Sequence, residues 1–179
     1  MAIKEATFKF NLPIFETDRL RLRPFNESDL NNLRTLETDF EVVKYLGNGQ
    51  IRESEETLNY LKKHFKDYQK YGLGLYAVED KITGAFIGRS GLIPWHFNGR
   101  LEWEIGYTLM KSSWGKGMAT ELATFLKNWA KANMSLNYVV SLINAENIKS
   151  INVSKKIGMD FWKEVEINGH KCNAYRVFL

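Results

Sequence analysis

A single cysteine, Cys172, among 179 residues excludes an internal disulfide framework and leaves no thiolate cluster for a metal, so it reads as a small core or strand residue. The three histidines, His64, His96 and His170, stand apart from one another and from any cysteine or acidic partner at metal-binding spacing. That predicts loop or surface positions for them and no bound metal. With only 3 prolines, the chain has none of the composition of a collagenous or proline-rich disordered segment. No apolar run approaches the roughly 18 residues of a membrane span, and the opening MAIKEATFKF carries charged and polar residues where a secretory signal needs an apolar centre. The expectation is a cytoplasmic protein without a membrane partner.

What is present describes a soluble globular chain: 44% hydrophobic residues, 26% charged, and 11 Phe, 8 Tyr and 5 Trp to fill an interior. One core accounts for this length, and residues 1–179 are read as one domain. The 25 Lys and Arg against 21 Asp and Glu leave a net charge of +4, which favours anionic partners without naming one. Basic and aromatic residues are not interleaved in the way that stacks bases, so direct nucleic-acid binding is not expected.

Periodicity orders the chain. Phe8, Phe10 and Leu12 alternate as a brief edge strand. Residues 17–24 predict a strand with Leu20 and Leu22 on one side and Arg19, Arg21 and Arg23 on the other, stopped by Pro24. Asn26 and Asp29 open a helix along which Leu30, Leu33, Leu36 and Phe40 recur. Ser54 caps another, striped by Leu58, Leu61, Phe65 and Tyr68 and closed by Gly72. Between these helices and a sheet is where a substrate pocket is most easily built. An antiparallel meander follows, near 73–79, 85–92 and 101–109, with a turn at 81–84 and a longer link at 94–99. Next comes a helix carrying Met118, Leu122, Phe125, Leu126 and Trp129 on one face. The nearly continuous apolar strand at 137–143 should lie parallel to the strand before that helix. Asn144 reads as the cap of a last helix to Ile157, with Ile148, Ile151 and Ile157 toward the core, before a hairpin near 161–178 turning at Asn168-Gly169.

The stretch from Leu101 to Met134 places a strand, a glycine-rich turn and a helix in series. Amides around Ser113 to Ala119 would point at whatever sits at the helix start, and Gly115 and Gly117 permit an anion to come close. A nucleoside-triphosphate loop is excluded, since Lys116 is followed by Gly117 and the leading glycine is missing. A dinucleotide fingerprint is excluded too, because the turn follows a meander and lacks its spacing. Two readings stay open from these residues. Either a pyrophosphate rests on Trp114, Gly115, Lys116, Gly117, Met118 and Ala119, with Lys116 or Thr120 adding a charge or hydroxyl, or the glycines only tighten the turn.

TDRLRLRPF at 17–25, FIGRSGL at 86–92, EIGYTLMKSSWGKGMATE at 104–121 and NAENIKSINVSKKIGM at 144–159 together resemble the GCN5-related N-acetyltransferases (GNAT), above all the branch that acetylates the amino termini of ribosomal proteins. The resemblance covers about 15–178. It implies an α/β fold, a single GNAT-like domain with a mixed, twisted central sheet flanked by helices, and transfer of an acetyl group from acetyl-coenzyme A to a primary amine. It implies that Trp114-x-x-Gly117-x-Ala119 cradles the coenzyme pyrophosphate, with Trp114 standing where the superfamily pattern has Arg or Gln. Main-chain groups of Thr108, Leu109 and Met110 would hold the thioester carbonyl and pantetheine amides between two splayed strands, and Asn147 would contact the coenzyme. Ser154 falls where many relatives place a tyrosine that protonates the leaving thiolate.

Direct attack requires a neutral amine and therefore a proton acceptor. Glu102 and Glu104 share one face of a strand, and either would serve, directly or through water. The alternative is that they pair with Arg89 or Arg100. Asn147, Ser150 and Ser154 recur at offsets of 3 and 4 as a polar stripe. Ser154 would act as a short acid or through water and Ser150 as a pantetheine contact, or the stripe is structural. The acceptor implied by the resemblance is the N-terminal α-amino group of a ribosomal or other protein. A polyamine, aminoglycoside or amino-acid derivative is the alternative, with Glu37, Asp39, Glu41, Glu53, Glu55 and Glu56 available to line an acidic pocket. A non-catalytic acyl-coenzyme A sensor is the alternative from another class. A monomer or a homodimer joined by an exposed terminal strand is expected.

Overall fold

The computed structural model describes residues 11–97 and 99–179, so the alternation at Phe8 and Phe10 lies outside the described residues. Strands β1 (Phe15–Glu16) and β2 (Leu20–Arg23) lead into helices α1 (Leu30–Glu37), α2 (Phe40–Val43) and α3 (Ser54–Tyr71). The meander β3 (Leu75–Asp80), β4 (Phe86–Phe97) and β5 (Arg100–Leu109) is followed by α4 (Met118–Asn133), β6 (Tyr138–Ile143), α5 (Ile148–Lys156) and the hairpin β7 (Asp160–Ile167) and β8 (His170–Phe178). In space the sheet runs β1-β2-β3-β4-β5-β6-β8-β7. Among the described residues only β5 and β6 are parallel, as the helical crossover between them requires. This is the mixed α/β architecture expected. None of the described helices is long and apolar enough to cross a membrane.

The two faces of the sheet follow from strand alternation. Phe15 packs its ring against Tyr76 at 5.1 Å and against Phe125 and Trp129 of α4 at 5.8 and 5.1 Å. Tyr76 is in register with Ser90 and Ser90 with Tyr107, so these three share the face that α4 covers. Their neighbours Ala77, Arg89 and Thr108 point the other way, and there Arg89 meets Glu37 of α1 at 2.6 Å. Glu104 has the parity of Thr108 and looks toward α1–α3. Leu20 and Leu22 are buried, and Leu122 and Leu126 of α4 belong to the same core, as the alternating and helical spacings predict.

Several boundaries differ from the sequence expectations. The predicted link at 94–99 is mostly strand, since β4 continues to Phe97 through Pro94. Proline is tolerated because β3 ends opposite Gly91, which leaves this part of β4 an edge with no ladder hydrogen bond to lose on that side. The helix read from Leu30 to Phe40 breaks at Thr38; Asp39 caps α2 by accepting from the Glu41 amide, and Phe40 is exposed. The cap of α3 is Glu53 rather than Ser54, with the Glu53 amide donating to the Glu56 carboxylate at 2.7 Å.

The last helix starts at Ile148 and is capped by Asn147, not Asn144, whose side chain instead accepts from the Glu146 amide in a turn. Ile148 is consequently 60% exposed rather than in the core. His64 is the opposite case. It is buried, stacked on Phe25 and edge-on to Tyr60, and burial with the nearby charges of Arg89, Lys63 and Arg52 pushes its pKa well below the ordinary range.

The burial of Leu126 and the exposure of Ile148 separate two substitutions that look alike in sequence. Leu126→Ala is expected to destabilise the protein by about 2–5 kcal/mol, and Ile148→Ala to change it by no more than about 0.5 kcal/mol. Urea unfolding of both measures this, and equal losses would return Ile148 to the core.

Candidate active site

Strands β4 and β5 pair along ten residues, from Gly88↔Leu109 to Phe97↔Arg100, but β5 and β6 share a single Cα register point, Glu104↔Val140. Beyond it the tie is made by side chains. The Ser141 hydroxyl donates to the Ile105 carbonyl at 2.9 Å, and the Leu142 amide donates to the Glu104 carboxylate at 3.3 Å. The two strands then diverge toward Leu109 and Ile143, opening a wedge whose mouth is the glycine turn. Met110 donates its amide to the Ile87 carbonyl at 2.8 Å, which commits that amide to β4. By alternation the Leu109 main chain faces the wedge, and its carbonyl accepts from the Trp114 indole at 2.8 Å. Of the three main-chain positions singled out in sequence, Leu109 is therefore the one presented to the wedge, and Met110 is not.

The turn has the conformation its glycines predict. Gly115 and Gly117 have φ of 75° and 78°, where side chains with a Cβ are strained. Gly117 is the N-cap of α4 and brings no side-chain acceptor, so the first amides of the helix, at Met118, Ala119 and Thr120, are left uncapped by it. A Cβ on Gly115 would meet nothing within 4 Å, so this bend is open on its outer side. Arg19 fastens the turn from below: its guanidinium donates to the Lys116 carbonyl at 2.9 Å and to Glu121 at 2.7 Å, while the Thr17 hydroxyl donates to Glu121 at 2.5 Å. Partial burial alone would raise the Glu121 pKa, but the Thr17 hydroxyl and the Arg19 amide and guanidinium hold it below the usual range. Two separated motifs, at 17–25 and 104–121, thus meet through one carboxylate, a contact that spacing along the chain does not reveal. Lys149 of α5 lies 4.3 Å over the Trp114 ring, adding a cation at the rim.

The two glutamates have different environments. Glu102 accepts from Arg100 at 2.6 Å and from the Tyr138 hydroxyl at 2.9 Å, which is the ion-paired alternative, and it is buried. Glu104 meets neither arginine. It accepts from the Trp95 indole at 2.5 Å and from Leu142, and burial pushes its carboxyl up to about 7 against the opposing effect of these two donors. Trp95 was not singled out from the sequence; its role depends on β4 extending past Pro94.

On α5 the polar stripe is largely occupied by the helix itself. The Asn147 side-chain oxygen accepts from the Ser150 amide at 3.1 Å, leaving its NH₂ as a donor. Ser154 is buried and donates to the Ile151 carbonyl at 2.9 Å. The group that reaches α5 from the sheet is instead Tyr107, whose hydroxyl lies 3.5 Å from the Ser150 carbonyl.

Five of the six acidic residues named for a cationic pocket, all but Glu55, are engaged elsewhere. Glu37 is fully buried and accepts from Arg52, from Arg89 and from the Thr57 hydroxyl, while Arg52 and Arg89 both lie over the Tyr60 ring. Glu41 pairs with Lys44, Asp39 caps α2, and Glu53 and Glu56 belong to the capping box of α3. An open groove of about 740 Å³ runs along α4 between Thr17 and Lys156 and borders the glycine turn at Gly117 and Thr120; a smaller cavity of about 190 Å³ lies near Arg100 and Tyr138.

The family model described as the acetyltransferase (GNAT) domain matches residues 19–160. The chain is 31% identical over 150 residues to the uncharacterized protein YkkB of Bacillus subtilis, covering 83% of this chain and 86% of that protein. It is 25% identical over 163 residues to the spermidine N(1)-acetyltransferase of Escherichia coli K12, covering 88% and 84%. Among solved structures, an acetyltransferase from Agrobacterium tumefaciens superposes with a TM-score of 0.79 at 24% identity over 96% of this chain and 97% of that one. RimL, a ribosomal L7/L12 α-N-protein acetyltransferase in complex with coenzyme A, superposes with a TM-score of 0.74 at 20% identity over 94% and 97%.

The raised pKa of Glu104 has a consequence for stability. In the unfolded chain the carboxyl returns to its ordinary value of 4.5, so between that pH and about 7 the folded state holds more protons and stability falls as pH rises. Glu104→Gln removes this pH dependence. The variant should match the parent near pH 4.5 and exceed it by up to about 3 kcal/mol above pH 7, as read by urea unfolding at the two pH values. An equal difference at both would show that Glu104 is not held above its ordinary range.

Proposed function

The chain belongs to the GNAT acetyltransferase family, and from that premise we propose that it acetylates the N-terminal α-amino group of a protein, ribosomal proteins included, with acetyl-coenzyme A as the donor. The observation that carries this reading is Glu104, a carboxyl raised to about 7 at the point where β5 and β6 part. The uncapped amides of Met118, Ala119 and Thr120, beside Gly115 and Gly117 and with Trp114, Lys116 and Lys149 at the rim, would hold the pyrophosphate. The Leu109 amide and the Asn147 NH₂ would meet the pantetheine arm. When bound, the coenzyme supplies an acyl carbon activated as a thioester.

Glu104 does the proton work of this proposal. A carboxylate with pKa near the working pH is ionised often enough to accept a proton from the incoming ammonium and basic enough to keep it while the amine attacks. Trp95 and the Leu142 amide hold it toward the wedge. Glu102, engaged by Arg100 and Tyr138, positions the start of β5 rather than exchanging a proton.

The choice of acceptor rests on the carboxylates. A polyamine with two or more ammonium groups needs several unengaged acidic side chains, and Glu37, Asp39, Glu41, Glu53 and Glu56 are already paired or capping. An α-amino group on a polypeptide needs only one proton acceptor. The likeness to the spermidine N(1)-acetyltransferase supports polyamine acetylation as a second reading.

Release of free thiol from acetyl-coenzyme A, measured with peptides beginning Ser or Ala and with spermidine, separates the two readings: the peptides are the expected acceptors, and turnover with spermidine alone would favour the second. With the competent acceptor, the parental rate should rise with pH through about 7 as Glu104 ionises. Glu104→Gln should lower it about 100-fold or more and flatten the profile. An unchanged profile would remove Glu104 from proton transfer.

A further inference from the structure

We propose that Tyr107 is a further catalytic residue, donating its phenolic O–H to the sulfur that leaves as the acetyl group is transferred. The proposal rests on the acetyl-transfer reading above. Expulsion of a thiolate into a partly desolvated wedge calls for a hydrogen-bond donor at the sulfur. Ser154, the position on α5 considered for that part, is buried with its hydroxyl directed to the Ile151 carbonyl. Tyr107 is placed differently. It follows the last tie between β5 and β6, the contact of Ser141 with Ile105, by two residues, and its ring crosses toward α5, the helix that follows β6. It therefore lies at the narrow end of the wedge, within electrostatic reach of Glu104.

Strand parity supports the division of labour. Glu104 and Tyr107 are three residues apart on β5 and point to opposite faces of the sheet, Glu104 toward α1–α3 and Tyr107 toward α4 and α5. A proton acceptor for the amine on one face and a donor for the sulfur on the other keep the two groups from neutralising each other. The phenol is also uncommitted: its contact with the Ser150 carbonyl, at 3.5 Å, is at the outer limit of a hydrogen bond.

Burial pushes the Tyr107 hydroxyl up to about 12, with the charge of Glu104 acting in the same direction and the Ser150 contact opposing. An ordinary thiol ionises near 8.5. The phenol is thus the weaker acid and keeps its proton, stabilising the thiolate by a hydrogen bond rather than by full transfer. In the balanced step the N–C bond forms and the C–S bond breaks. The amine proton passes to Glu104 and on to solvent, the sulfur departs with the electron pair against the Tyr107 O–H, and the thiol proton arrives from water.

The test uses the whole protein with free coenzyme A and with acetyl-coenzyme A, comparing the parent with Tyr107→Phe, which keeps the ring. Titration of the bound thiol by its ultraviolet thiolate absorbance should show the parent holding the thiolate about 10- to 100-fold more favourably than the variant. Over Ser- and Ala-initiated peptides, spermidine and water as acceptors, kcat should fall by a similar factor with KM for acetyl-coenzyme A unchanged. Equal thiol titration and equal kcat in the two proteins would overturn the assignment of Tyr107. A parent that binds coenzyme A but releases no thiol with any acceptor would overturn the acetyl-transfer reading, and the role of Tyr107 with it.

Discussion

The incomplete pairing of β5 with β6 is the constraint on which the rest depends. Along β4 and β5 the ladder is continuous for ten residues. At β5 and β6 it stops after one register point, and the strands are kept adjacent by side chains: Tyr138 on Glu102 before that point, Ser141 on Ile105 and Leu142 on Glu104 around and beyond it. Main-chain groups left without a ladder in a buried sheet are costly unless something polar takes them up. On the proposed function the wedge would take a ligand with amides and carbonyls of its own, while Glu104 ties the strands at its apex through the Leu142 amide.

Two groups of polar residues surround the wedge. At its mouth lie the first amides of α4, two left-handed glycines, and Lys149 over Trp114. On the α1–α3 side two arginines converge on one oxygen of the fully buried Glu37, with Tyr60 between them and a neutral His64 behind. Removing Glu37 from such a cluster leaves the buried Arg89 without its carboxylate, a loss of about 3–5 kcal/mol. The cluster consequently locks α1 to α3 and β4, with two guanidinium groups against one carboxylate.

Legibility followed the range of the interactions. The Asn168-Gly169 hairpin, the αL glycine at 72 that ends α3, the apolar face of α4 and the parallel crossover to β6 are all local or periodic, and each is found where its pattern puts it. The misplaced boundaries are those where a competing partner wins. Pro94 stays in β4 because β3 has already ended, Asn147 displaces Asn144 as cap, and Glu53 with Glu56 displaces Ser54. The candidate residues Glu102 and Glu104 were visible as a pair on one face. Their separation into an ion-paired member and a desolvated one needed Arg100 two residues away on the same strand, Tyr138 of β6 and Trp95 of β4.

By itself the sequence determined the order and type of the elements, the glycine turn ahead of α4 and the family, because periodicity, turn chemistry and motif spacing act over a few residues at a time. Tertiary structure alone decided which carboxylate is held near neutrality, that Ser154 faces its own helix while Tyr107 reaches α5, and that Glu37, Asp39, Glu41, Glu53 and Glu56 around α1–α3 are engaged. The physical reason is that desolvation and hydrogen-bond partnership are properties of what surrounds a side chain. Those surroundings are assembled from segments as far apart as Trp95, Glu104 and Leu142, or Arg19 and Glu121.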